Sequence, residues 1–253
     1  MGRTVASFLL VGVAAIALSG CATNRTTALH ADYSNLSGPQ IQQSVADLSH
    51  RYAQDPRNRD LGIHYAAALR AAGQVEPSVT VMENVIGSHP ADPSAGLAYA
   101  KALSAAGRFE QALRVVENAT NPVTPDWDSL ATRGAILDQM GRHAEARQSY
   151  TQALLLAPHQ ARLHANLGLS YSMTGELREA EAHLRQAVAL PGASSKIRQN
   201  LALVLGLQGR FDEARALYSA ELPGEEVEAN MAYIRALLTQ QDRWQAIRND
   251  TSA

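Results

Sequence analysis

The stretch ARLHANLGLSYSMTGELREAEAHLRQAVALPGAS, Ala161 to Ser194, decides how this chain is built. Its Gly175 belongs to a series, Gly73, Gly107, Gly141, Gly175 and Gly209, in which each glycine follows the last by 34 residues with no insertion between them. Around each glycine the same residue types return at the same offsets. With Gly175 as the fifteenth position of its block, His164, Leu167, Gly168 and Tyr171 precede it, and Ala180, Leu184, Ala187 and Pro191 follow. The block from Trp127 to Gln160 gives Gly134, Leu137, Gly141, Ala146, Tyr150, Ala153 and Pro158 at matching places. A fixed period of this length predicts stacked supersecondary units, each burying its apolar faces against its neighbours.

Each recurrent position has a physical task. The small residue at the eighth position (Ala66, Ala100, Gly134, Gly168, Ala202) predicts close approach of two helices within a unit, answered from the second helix by Ala112, Ala146, Ala180 and Ala214. The glycine predicts a left-handed cap that closes the first helix without a Cβ clash. Pro56, Pro90 and Pro158 stop second helices by removing an N–H donor. The pattern resembles the tetratricopeptide repeat (TPR), a helix-turn-helix unit, with His164 and Leu184 where that repeat usually carries aromatic residues. The resemblance implies an all-α TPR superhelical solenoid with five units over residues 59–226.

A solenoid needs ends. Ile41, Val45, Leu48 and Tyr52 lie on one helical face ahead of Pro56, which predicts a half-repeat over 39–58 that covers the first unit. Downstream, Pro223-Gly224 cuts the fifth unit short, and Glu225-Glu226 suit a helix N-terminus. Met231, Ile234, Leu237 and Leu238 predict a capping helix over Val227 to Leu238. Trp244 and Ile247 then predict a last short helix pinned onto it, so that 227–253 form C-terminal capping helices.

The first residues read as an address. Arg3 precedes an apolar stretch from Val5 to Leu18, too short for a bilayer span and proportioned like a secretory signal over 1–20. It ends in Leu18-Ser19-Gly20-Cys21, which resembles a bacterial lipobox. That resemblance implies a diacylglycerol thioether on Cys21, the one cysteine of the sequence. Ala22 in place of Asp favours the outer membrane in Gram-negative lipoproteins of this pattern, so the expected location is its periplasmic face. Acyl chains at about 0.8 kcal/mol per buried CH2 make such an anchor effectively permanent. Residues 21–38 are polar, carry no repeat and predict a tether spanning about 20 to 25 Å as a flexible coil. Removing Arg3 from 22 basic residues leaves 21 against 24 acidic ones, a balance that gives no case for nucleic acid.

No catalytic signature is present. Gly168-Leu169-Ser170-Tyr171-Ser172 lacks the second glycine of a nucleophile elbow and sits within a predicted first helix. There is no P-loop, dinucleotide fingerprint or HExxH. His159 and His164 are separated by a predicted turn and make a poor metal pair. No enzyme activity, cofactor, metal or small-molecule substrate is expected.

In TPR proteins the second, fifth, sixth, ninth, twelfth and thirteenth positions of the first helices face the concave side. Units one to three thereby offer Asp60, Ile63, His64, Ala67, Leu97, Ala98, Lys101, Asp128, Ala131, Thr132, Ala135 and Asp138. Units four and five offer Arg162, Ala165, Asn166, Leu169, Met173, Lys196, Gln199, Asn200, Leu203 and Leu207. Asn166 and Asn200 share the sixth position of adjacent units, and an amide both donates and accepts, so the pair suits a peptide backbone. Arg162 and Lys196 add positive charge, and Leu169, Met173, Leu203 and Leu207 add apolar surface. The expected protein-binding groove therefore comprises these residues with Gln199, and its expected ligand is an amphipathic segment with an acidic end. Ile63 and Ala67 occupy places where the chaperone-type carboxylate clamp needs Lys and Asn, so that mode of binding is not expected.

The run from Asn200 to Ala214 (NLALVLGLQGRFDEA), followed by Leu222-Pro223 and by Ala229-Asn230-Met231-Ala232-Tyr233-Ile234-Arg235, resembles the end of the TadD family, TPR lipoproteins of the tight-adherence (Flp) pilus system. The resemblance implies a scaffold that helps an outer-membrane secretin reach or hold its place. Two alternatives stay open: a pilotin-like TPR lipoprotein of type IV pili, and an adaptor of peptidoglycan hydrolases.

Overall fold

A computed structural model of the chain describes Tyr33 and residues 36–250, with side chains described as far as Gln240. The expected signal segment, Cys21 and most of the expected tether lie outside the described residues. Twelve helices and no strands make up the described chain, and they stack as a TPR superhelix. An opening helix α1 (Gly38–Gln54) is followed by five helix pairs: α2 (Arg59–Ala71) with α3 (Val75–Ser88), α4 (Pro93–Ala105) with α5 (Phe109–Ala119), α6 (Trp127–Gln139) with α7 (His143–Leu156), α8 (Ala161–Met173) with α9 (Leu177–Ala189), and α10 (Ser195–Leu207) with α11 (Phe211–Ser219). A long α12 (Gly224–Asp250) closes the array.

The 34-residue register is written in the backbone. The five register glycines all adopt positive φ, between +73° and +82°. Beyond each one, the next N–H reaches back five residues: Gln74 to the Leu69 carbonyl, Arg108 to Leu103, Arg142 to Leu137, Glu176 to Tyr171 and Arg210 to Leu205, all at 2.8 to 3.0 Å. This is the Schellman closure, which satisfies a carbonyl that the ending helix leaves open. First helices begin with equal regularity. Asn58, Asp92 and Asp126, again 34 residues apart, each accept from an N–H of the first turn.

Packing within a unit depends on small residues. Ala112, Ala146, Ala180 and Ala214 are fully buried, as are Ala100 and Ala202 opposite them. At Gly168 a Cβ would stand 2.8 Å from Leu184 Cγ and 3.0 Å from the Ala180 carbonyl oxygen, so only a bare backbone fits. Successive first helices touch one another (α2 with α4, α4 with α6, α6 with α8, α8 with α10), whereas successive second helices do not. The array therefore curves with its first helices on the inner, concave side.

The C-terminal end differs from expectation. Instead of two capping helices separated near Leu238, α12 runs unbroken to Asp250. The segment around Gln240 contains no Pro or Gly to stop it, and hydrophobic spacing alone does not break a helix. Val227, Met231 and Ile234 on its first half are buried against α10 and α11. The side chains of Trp244 and Ile247 lie outside the described residues. No helix among the described residues is long and apolar enough to cross a membrane.

Candidate functional site: the concave face

The inner wall divides into two chemically different halves. Over α8 and α10 it carries the groove residues expected from sequence. Met173 is 52% exposed, Lys196 is exposed, and Asn166, Leu169, Gln199, Asn200, Leu203 and Leu207 are half-buried. Leu203 and Leu207 also rest on the core cluster beneath them, so each presents only part of its side chain to the groove. Gln199 donates to Ser195 Oγ at 3.0 Å. Asn166 and Asn200 have no side-chain hydrogen bond among the described residues, which leaves both amides available to a ligand.

Arg162 is not the free cation that its position suggested. Its Nη2 donates to Asp128 Oδ1 at 2.6 Å, and its guanidinium lies 5.1 Å from the centre of the Trp127 ring. Lys101 Nζ donates to the other oxygen, Oδ2, also at 2.6 Å. Asp128, expected as an open groove residue, is thus buried and bridges α4, α6 and α8. Burial, helped by the nearby guanidinia of Arg162 and Arg70, outweighs the attraction of Asp128 and holds the Lys101 ammonium below the ordinary lysine range.

Other positions expected to line the groove are covered. Ile63, Leu97, Ala131, Thr132 and Ala165 are buried, because neighbouring first helices pack closely enough to close over their fifth and sixth positions. Asp138 turns into the protein and accepts from Tyr150 Oη at 3.0 Å and Ser170 Oγ at 2.8 Å, with His143 Nδ1 at 2.9 Å. That network ties three helices together and pushes the Tyr150 phenol far up, through burial first and the adjacent carboxylate second. Asp138 is therefore structural.

His164 takes the aromatic place of its repeat. Its ring stacks on His183 at 5.9 Å, His183 stacks on Tyr171 at 5.6 Å, and the Arg147 guanidinium covers Tyr171 at 4.6 Å. His159 is exposed and apart from this column. No group of three or more potential metal ligands exists among the described residues. An open hollow beside α9 is lined by Glu176, Glu181, Gln208 and Arg210, but Arg210 spends its charge on Glu181 at 2.7 Å.

Comparison with known proteins agrees with this architecture. One tetratricopeptide-repeat model matches residues 128–191, and a second matches 93–118 and 200–219. No curated protein matches the sequence significantly. Among solved structures, a thermophilic TPR protein of Thermus thermophilus is 24% identical, with 71% of this chain and 100% of that chain covered and a TM-score of 0.63. PilF of Pseudomonas aeruginosa is 14% identical over 78% of this chain and 90% of its own, with a TM-score of 0.56. A monomeric mutant of IFIT1 is 16% identical over 85% and 52%, with a TM-score of 0.64. At such identities the likeness concerns the fold alone. TPR scaffolds bind proteins, and no catalytic family matches the chain.

Proposed function

We propose that this TPR repeat protein is a lipid-anchored scaffold of the outer membrane's periplasmic face, which holds a component of a tight-adherence pilus machine, its secretin above all, in the concave groove. One observation carries the binding part of the reading. Asn166 and Asn200 repeat at one position of adjacent units with unpartnered amides, beside exposed Met173 and half-exposed Leu169, so that polar and apolar contacts are offered along one inner wall. The lipobox at Leu18 to Cys21 supports the anchor, and the resemblance of 200–235 to the tight-adherence lipoproteins supports the pathway. The fold shared with PilF of Pseudomonas aeruginosa is compatible with pilus work and supports the architecture only.

The test is capture of partners from solubilised outer membranes, read by mass spectrometry, with wild type and with Asn166→Ala plus Asn200→Ala. Recovery of a secretin by the wild type, reduced in the double variant while its melting temperature is kept, is the expected result. Recovery of peptidoglycan hydrolases in its place would move the reading to the adaptor alternative.

A further inference from the structure

Arg70, in the last turn of α2, occupies the twelfth position of the first unit and therefore the same inner wall as Lys101, Asp128 and Arg162. It has no hydrogen bond or ion pair among the described residues. Part of its surface stays open to the groove, while the surrounding wall desolvates its charge. Burial lowers its pKa, and Arg162 is near enough to add to that effect against the attraction of Asp128. Three cations, Arg70, Lys101 and Arg162, thus gather about one carboxylate that pairs with only two of them, which leaves positive charge in excess in a concave space. An arrangement of this kind lowers stability unless another anion completes it.

We propose that this charged stretch of the groove binds one carboxylate of an acidic protein segment, with Arg70 as the free donor and Arg162, whose guanidinium lies over the Trp127 ring, as the second. The inference rests on the protein-binding reading above and adds the chemistry of the partner. A planar guanidinium fork matches a carboxylate in two parallel hydrogen bonds, and water is partly excluded where the wall is concave. A polyanion such as nucleic acid is disfavoured, because Asp128 stands at the centre of the cluster and the whole chain carries a net charge of −2. The site differs from the chaperone-type clamp in position, since its cations come from units one, two and four.

Fluorescence polarisation with three labelled decapeptides of Ala, Leu and one variable residue tests this on the full chain in detergent. The first carries Glu and an amidated end, the second Gln and a free C-terminal carboxylate, and the third Gln and an amidated end. Tighter binding of the first than of the third assigns the carboxylate to a side chain; tighter binding of the second assigns it to a chain terminus. Arg70→Gln is expected to weaken the preferred carboxylate peptide about tenfold, as loss of a charged hydrogen bond implies, and Arg70→Lys to weaken it less. The melting temperature of Arg70→Gln without peptide should equal or exceed that of wild type. Equal binding of all three peptides, binding of none, a carboxylate preference that survives Arg70→Gln, or a lowered melting temperature in that variant would each overturn the proposal. Partner capture from membranes that is unchanged in Arg70→Gln removes the carboxylate site alone, whereas absence of any capture by wild type removes the reading beneath it.

Discussion

Arg162 reaches back one whole repeat to Asp128, donating at 2.6 Å across 34 residues of sequence. Because Lys101 holds the second oxygen of that carboxylate from α4, a single acid locks three consecutive first helices and fixes the local curvature of the groove. Asp128→Asn should leave Lys101, Arg162 and Arg70 facing one another uncompensated. Breaking a fully buried pair costs about 3–5 kcal/mol. Arg162 keeps 50% of its side chain exposed, so a loss of about 1–3 kcal/mol is expected here. Urea denaturation measures it, and adding Arg70→Gln should restore part of the loss. A single variant as stable as wild type would show that the bridge does not support the array.

Register can be tested at two positions with opposite geometry. Gly141 has a φ of +74° and open space around it, so Gly141→Ala strains only the backbone, at about 1–2 kcal/mol. Ala180 is fully buried against the Gly168 helix, so Ala180→Leu overpacks the interior and should cost about 1–3 kcal/mol. Thermal melts of both variants check the pair; unaltered melting of Ala180→Leu would contradict the packing described above.

The ring column predicts a pH dependence. Burial, and secondarily the neighbouring His164, hold the His183 imidazole below its ordinary value of 6.5, and its Nδ1 has no hydrogen-bond partner among the described residues. Arg147 above Tyr171 brings a further positive charge to the same column. The unfolded chain therefore takes up this proton before the folded one does. The stability that His183 contributes is complete above pH 6.5 and is lost as pH falls from there toward the lower folded value. Melting temperatures should decline between about pH 7 and 5, and His183→Phe, which keeps a stacking ring, should flatten that decline. An identical slope in the variant would assign the decline to other groups.

Anchoring is tested separately at Cys21. Cys21→Ser removes the sulfur needed for the proposed thioether, and the protein is expected to leave the outer-membrane fraction, with loss of surface pili. Wild-type fractionation and piliation in this variant would contradict the lipid-anchored scaffold.

The fold was legible because its determinants are local and repeat. Gly73 to Gly209 mark each Schellman closure, and the residue at the eighth position marks each close helix crossing. Asn58, Asp92 and Asp126 repeat the same signal at helix starts and were readable in principle as N-caps, although the glycines alone set the frame. The groove was only partly legible. Offsets within a repeat place a residue on the inner wall, but how deeply it sinks depends on curvature between repeats, which buries Asp128 and Ala165 while leaving Met173 open. Asp138 shows the same limit from the other direction, since Tyr150 and Ser170 draw its carboxylate into the interior. The charge cluster joins Arg70, Lys101, Asp128 and Arg162 from four units, a juxtaposition that no local pattern encodes.

Site-specific photocrosslinking in cells tests the central claim most directly, with the crosslinking residue placed at Leu169 on the inner wall or at Leu155, which is 80% exposed on a second helix. A discrete crosslinked protein partner at Leu169 and none at Leu155 is the predicted result. Partner crosslinks formed only at Leu155 would contradict binding in the concave groove.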